Sequence, residues 1–236
     1  MSFTELKKAV WEANLELFKT GLVILTWGNV SGIDHKEGVI AIKPSGVAYE
    51  KMRPEDMVLV DLDGKVITGH LRPSSDTPTH LEIYRSFPQI AGIAHTHSLF
   101  ASAFAQAERE ILCLGTTHAD AFWGTIPLTR ILTPEEVQEG YEKNTGKLIV
   151  ERFQDLDPLA VPAVLVARHG PFSWGRSPRE AVRNSFILEK VAEMAWATLS
   201  LRPDCPPLVN YILDKHHRRK HGPGAYYGQR RSDNHD

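Results

Sequence analysis

The chain has 236 residues, 42% of them hydrophobic, and 27 basic against 29 acidic side chains give a formal net charge of -2. That length is long for one domain and short for two, and the balanced charge excludes a global field drawing the chain to nucleic acid. The longest apolar runs fall far short of the ~20 residues of a membrane span, and Cys113 and Cys205, with no charged-then-apolar leader, point to a reducing cytoplasm without disulfides.

Ser2-Phe-Thr-Glu5 has capping-box spacing, and Leu6, Val10, Ala13 and Leu17 follow at helical intervals until Gly21 stops the run. Gly21 to Leu25 is β-like and runs into a polar loop, Thr26-Trp-Gly-Asn-Val-Ser31. Val39 to Ile42 is a short strand that delivers the turn Lys43-Pro-Ser-Gly46. Met57 to Leu62, Asp63-Gly64 and Lys65 to Ile67 read as a hairpin, because Asp-Gly fits the turns that match strand twist. Thr79 to Phe87 is a helix ended by Pro88, Ile90 onward is a buried strand, and Ser98 to Glu108 is helical. Ile111 to Leu114 reads as a strand leading to a second polar loop, Gly115-Thr-Thr-His-Ala-Asp120. Thr133-Pro134 starts a helix, Ala163 to Ala167 is a buried strand, and Ser177-Pro-Arg-Glu180 opens the longest helix, to about Ser200. A last helix after Pro206-Pro207 runs to about Lys220, and His221 to Gln229 is too glycine-rich to be helical. Without strict strand-helix alternation, these elements predict one α/β domain with a central, largely antiparallel sheet flanked by helices. Residues 230–236 are expected to form a flexible tail.

The chemistry concentrates at a few places. His95 and His97 are two apart where a buried strand ends, so their imidazoles share a face, and that is half of a metal site. Imidazole suits zinc, copper, iron and nickel; Asp76 and His169 are candidates for the remaining ligands. The loops bearing Asn29, Lys43, Ser45, Gly46, Ser74 and Ser75 offer N–H groups, hydroxyls and one cation, the set a phosphate monoester wants. Neither a Walker loop nor a dinucleotide glycine motif is present. Asp120 is an acid in a polar loop. The basic run Lys215 to His221 has no aromatic ladder beside it; His216 and Arg219 can meet an anionic ligand, and Tyr226 or Tyr227 can serve as an acid or base if the tail docks over a site.

These blocks, in this order and at this spacing, resemble the L-ribulose-5-phosphate 4-epimerases of the class II aldolase superfamily: Thr26-Trp-Gly-Asn-Val-Ser31, Lys43-Pro-Ser-Gly46, Pro73-Ser-Ser-Asp-Thr-Pro-Thr-His80, His95-Thr-His97, Gly115 to Asp120, His169-Gly-Pro-Phe172 and Lys220 to Gln229. The resemblance covers residues 1–229 and implies a class II aldolase-like α/β fold. It implies zinc on Asp76, His95, His97 and His169, and substrate phosphate on Asn29, Lys43, Ser45, Gly46, Ser74 and Ser75. It also implies an acid/base pair, Asp120 and Tyr227, supplied by the neighbouring subunit of a C4 tetramer, with Thr116, His216 and Arg219 near the substrate. The expected reaction interconverts L-ribulose 5-phosphate and D-xylulose 5-phosphate by cleaving and remaking C3–C4, in catabolism of the arabinose or ascorbate type. Neither nucleic acid nor membrane is an expected partner. A fuculose-phosphate-type aldolase is the nearest rival, but such enzymes resemble this chain with glutamate where it has Asp76. A non-enzymatic adducin-head-like scaffold would lack the ligands.

Overall fold

The computed structural model describes residues 2–221 and 224–227. The expected tail 230–236, and Gln229 of the terminal motif, lie outside the described residues.

Seven strands form one sheet in the order β4-β3-β2-β1-β5-β7-β6. They are β1 (Asn29–Asp34), β2 (Val39–Ile42), β3 (Val58–Asp61), β4 (Val66–Thr68), β5 (Gly92–His95), β6 (Ala163–Val166) and β7 (Gly170–Gly175). Every neighbouring pair is antiparallel, as expected. The helices are α1 (Phe3–Lys19), α2 (Thr77–Ser86), α3 (Leu99–Gln106), α4 (Thr116–Ala119), α5 (Pro134–Arg152), α6 (Pro178–Leu201) and α7 (Asn210–Lys220).

Both faces of the sheet are covered, which is why β2 and β3 read as apolar runs rather than as alternation. In β2, Ile40 and Ile42 join the main core with Leu81, Ile83 and Tyr84 of α2 and Ile149 of α5. Val39 and Ala41 point the other way, to Leu6 and Val10 of α1. Helix α1 begins with the expected capping box, Ser2 accepting from the Glu5 N–H, and buries Leu6, Val10, Ala13 and Leu17.

Helix α6 starts hard against the sheet because three glycines lie side by side under it. Gly32 pairs with Gly92, and Gly92 pairs with Gly175. A Cβ on Gly92 would lie 2.4 Å from the Pro178 nitrogen and Ser177 carbonyl, and one on Gly32 would lie 2.6 Å from Pro178 Cγ. Backbone sits opposite Gly92, so the clash cannot be relieved by rotating a side chain. Gly92→Ala is expected to lower stability by about 1–3 kcal/mol, the range for overpacking, or more. A urea midpoint unchanged from wild type would contradict this packing.

Several local readings are corrected. Gly21 to Leu25 is not a strand: Gly21 and Leu25 both have positive φ, 73° and 53°, and Leu25 is 77% exposed, so the segment turns instead of pairing. The strand begins at Asn29 and takes in Asn29, Val30 and Ser31, read above as loop. Ile111 to Leu114 makes a single bridge, Ile111 to Ile126, rather than a strand. The polar segment before Asp120 is a helical turn, α4, with Asp120 at its C-terminal end. The strand β7 was not anticipated, because Gly170-Pro171 begins it and proline is unusual inside a sheet.

Candidate active site

Antiparallel order brings four chain segments to one end of the sheet. Asn29, at the start of β1, pairs with His95, at the end of β5, and His95 pairs with Phe172 of β7. Lys43 follows the last residue of β2, and His169 precedes the first of β7. A bridge between Pro44 and Pro73 carries the Ser74-Ser75-Asp76 segment to the Lys43 turn. The cavity at this end, about 450 Å³, is lined by Asn29, Lys43, Ser45, Gly46, Ser74 and Ser75 together with Asp76, His95, His97 and His169. All ten residues read from the sequence as phosphate or metal contacts therefore share one cavity.

His97 lies beyond the end of β5, yet its ring converges on His95 as expected, with the two Nε2 atoms 3.1 Å apart. One nitrogen from each of His95, His97 and His169 falls in a group spanning at most 4.8 Å. His95 Nδ1 lies 2.9 Å from the Pro171 carbonyl, to which it donates, leaving the Nε2 lone pair free. Burial holds the His97 imidazole below its ordinary pKa, and burial followed by the two neighbouring imidazoles pushes His169 down to about 3, so both are neutral. Neutral imidazole is the ligating form. Nitrogens about 2.0–2.1 Å from a tetrahedral zinc lie roughly 3.3 Å apart, so this donor set fits a divalent ion with little movement.

Asp76 lines the same cavity but stands outside the tight nitrogen group. Burial works to raise its carboxyl; the neighbouring His95 and His80 imidazoles and the Asn29 amide outweigh that and hold it below the usual range. The Asn29 Nδ2 donates to Asp76 Oδ2 at 2.6 Å and lies 3.1 Å from Ser74 Oγ, joining a proposed metal ligand to a proposed phosphate contact. The backbone N–H groups of Ser45 and Ser74 are already spent on Arg72 and Lys43 carbonyls, so these serines have their hydroxyls to offer.

Lys43 is 2% exposed, with Nζ donating to the Thr26 and Pro44 carbonyls and lying 4.8 Å from the centre of the Tyr49 ring. Burial pushes its ammonium down to about 8. The unfolded chain keeps that proton up to the ordinary 10.5. Between these values the unfolded state binds more protons, so this group's contribution to stability rises with pH there.

Asp120, Thr116, His216, Arg219 and Tyr227 line no part of this cavity. Asp120 instead accepts from His216 Nδ1 at 3.0 Å, Arg219 Nε at 2.9 Å and Lys220 Nζ at 3.0 Å. Against the raising effect of partial burial, these bonds bring its carboxyl down to about 2. Thr116 opens the same helical turn, its carbonyl accepting from the Asp120 N–H. Tyr227 is 63% exposed, with its ring beneath Arg219 and Lys220. These residues form a second cluster, joined by α4 and α7.

Sequence reading missed Trp27, Tyr141 and Glu142 in the cavity wall. Trp27 lies in the Thr26–Ser31 segment beside Asn29. Tyr141 and Glu142 arrive because Gly140, at φ 154° and ψ 89°, breaks α5, and the Tyr141 hydroxyl then reaches His169 Nδ1 at 3.2 Å. A glycine inside a helical pattern was the available signal.

A family model described as Class II Aldolase and Adducin N-terminal domain matches residues 8–196. The chain is 53% identical over 226 residues to L-ribulose-5-phosphate 4-epimerase UlaF of Salmonella paratyphi A, covering 96% of this chain and 99% of that one. The protein of that name from Salmonella typhi matches to the same extent. Among solved structures, an L-fuculose 1-phosphate aldolase superposes with a TM-score of 0.75 at 21% identity, over 90% of this chain and 94% of the other, a likeness of fold alone. Family match and relatives agree with the sheet and cavity just described: the chain belongs to the class II aldolase and adducin N-terminal domain family.

Proposed function

We propose that the chain is an L-ribulose-5-phosphate 4-epimerase, forming D-xylulose 5-phosphate by breaking and remaking the C3–C4 bond. The observation that carries this reading is one cavity holding both a three-imidazole group and a buried lysine among serine loops, in a chain 53% identical to epimerases over 96% of its length. His95, His97, His169 and Asp76 would hold a divalent cation, zinc by preference, which supplies Lewis-acid stabilisation of a developing negative oxygen.

The hydrogen on C4 is not acidic, so inversion by pulling it off is slow. Loss of the C4 hydroxyl proton instead lets C3–C4 break, giving the enediolate of dihydroxyacetone and glycolaldehyde phosphate. Lys43 and the hydroxyls of Ser45, Ser74 and Ser75 keep the phosphate anchored while the aldehyde turns. Bond formation on its opposite face then inverts C4. One group takes the hydroxyl proton and another, across the aldehyde, returns one; Asp120 and Tyr227 fill these roles, with Thr116, His216 and Arg219 beside them. Since that cluster lies apart from the cavity within one chain, a second copy brings it there, in a ring tetramer with shared sites. One domain over residues 1–229 does this work. The free thiols of Cys113 and Cys205 agree with a cytoplasmic location.

The test is conversion of L-ribulose 5-phosphate to D-xylulose 5-phosphate without release of free aldehyde; release would favour an aldolase. Lys43→Met is expected to weaken substrate binding by about 1.5–3 kcal/mol, the scale of a charged hydrogen bond. Affinity should also fall as pH rises through about 8, where Lys43 loses its charge, in the direction opposite to its stability effect. An unchanged KM in Lys43→Met would place the phosphate elsewhere.

A further inference from the structure

Behind the Lys43 turn lies a buried aromatic side chain that the chemistry above leaves unused. Tyr49 opens a single 3-10 turn, Tyr49–Lys51, and is 0% exposed. Its ring stacks on Phe18 of α1, with centroids 5.2 Å apart and planes 12° apart. Its hydroxyl donates to the Gly28 carbonyl at 2.7 Å and lies 3.4 Å from the Trp27 carbonyl. Over this ring stands the Lys43 Nζ, 4.8 Å from its centre. One side chain therefore touches two of the loops read as phosphate contacts, the Lys43 turn and the segment leading into Asn29.

An ammonium carries three donors. Two of those on Lys43 go to the Thr26 and Pro44 carbonyls at 3.2 and 3.3 Å, which leaves one for a ligand in the cavity that Lys43 lines. Burial is the one influence on the Lys43 pKa, so among the described residues no carboxylate neutralises this charge. A buried cation without a counter-charge is costly. The face of an aromatic ring is the negative end of its quadrupole and attracts a cation placed over it, most strongly where water is excluded. Burial also raises the Tyr49 phenol well above its ordinary value, so it keeps the proton it donates to Gly28.

We infer that Tyr49 is a positioning residue for phosphate recognition: its ring face, anchored by the bond to Gly28 and the stack on Phe18, holds the Lys43 ammonium at the cavity wall for a phosphate monoester. The inference rests on the reading that Lys43 meets the substrate phosphate. Tyr49 itself does not line the cavity and acts through Lys43 alone.

The test is the affinity of the full-length protein for inorganic phosphate, measured by calorimetric titration and independent of turnover. Tyr49→Phe keeps the ring and is expected to keep most of the affinity. Trifluorophenylalanine in place of Tyr49 has nearly the shape of phenylalanine but draws electron density from the ring face. It is expected to bind phosphate about 2–30-fold more weakly than Tyr49→Phe, the range of a cation–π contact. In a Lys43→Met background the fluorinated ring should add nothing. A merely structural role depends on ring shape and not on ring electrons, so equal affinity in the two ring variants, with Lys43→Met weakened, would overturn the inference and leave the phosphate site standing. The same loss on fluorination with and without Lys43 would overturn it too. Unchanged affinity in Lys43→Met would remove Lys43 from the phosphate site and the inference with it.

Discussion

His97→Asn is expected to bind zinc more than about 100-fold more weakly than wild type, and to lose activity in parallel. Removing an outer-shell partner of a metal ligand costs roughly 10–100-fold, and removing a ligand outright costs more. The reason is visible at the end of β5. His95 has committed Nδ1 to the Pro171 carbonyl, its Nε2 lies 3.1 Å from His97 Nε2, and its ring packs edge-on to that of His169. Without His97 the group falls from three imidazoles and Asp76 to two imidazoles and a carboxylate, one ligand fewer to hold the ion. Metal content after dialysis, read beside the epimerisation rate, checks this. Full metal and full rate in both His95→Asn and His97→Asn would remove the metal-centre assignment.

Tyr227→Phe is expected to lose about 10²–10⁴ in rate while keeping its metal, the usual worth of a positioned acid or base. The same scale is expected for Asp120→Asn. Within one chain Asp120 is held at about 2 by Arg219, Lys220 and His216, so its ionisation lies far below neutrality and cannot set a limb of the rate profile near pH 7. Its ion pairs contribute stability above the ordinary 3.8, lost as pH falls through about 2. Because the Asp120 cluster and the imidazole cavity have separate walls, the proposed shared site needs two chains to meet. Mixing inactive Tyr227→Phe subunits with inactive His97→Asn subunits should restore part of the rate as some sites regain both halves. No recovery despite demonstrated subunit exchange would sink the shared site.

Much of this was legible because polar residues at strand ends stand out against apolar strands. Val39 to Ile42 and the histidines after Ile90 illustrate it: a buried run, then side chains with chemistry. The capping boxes at Ser2 and Thr133 marked helix starts for the same local reason. What escaped depends on tertiary contact. The row Gly32, Gly92 and Gly175 has meaning only once three strands lie side by side. Strand β7 hid behind Pro171, whose missing N–H argues against a central strand. Tyr141 and Glu142 entered the cavity through a break at Gly140 that helical spacing cannot register. Gly21 to Leu25 reads as a strand because apolar composition does not reveal positive φ at Leu25.

The central claim, that a carbon–carbon bond breaks and the C4–H bond does not, is tested most directly by running the reaction in deuterium oxide and reading the product by proton NMR. The proposed mechanism predicts D-xylulose 5-phosphate that retains protium at C4, since an aldehyde hydrogen does not exchange with solvent. Deuterium at C4 would mean direct proton abstraction there and would contradict the account.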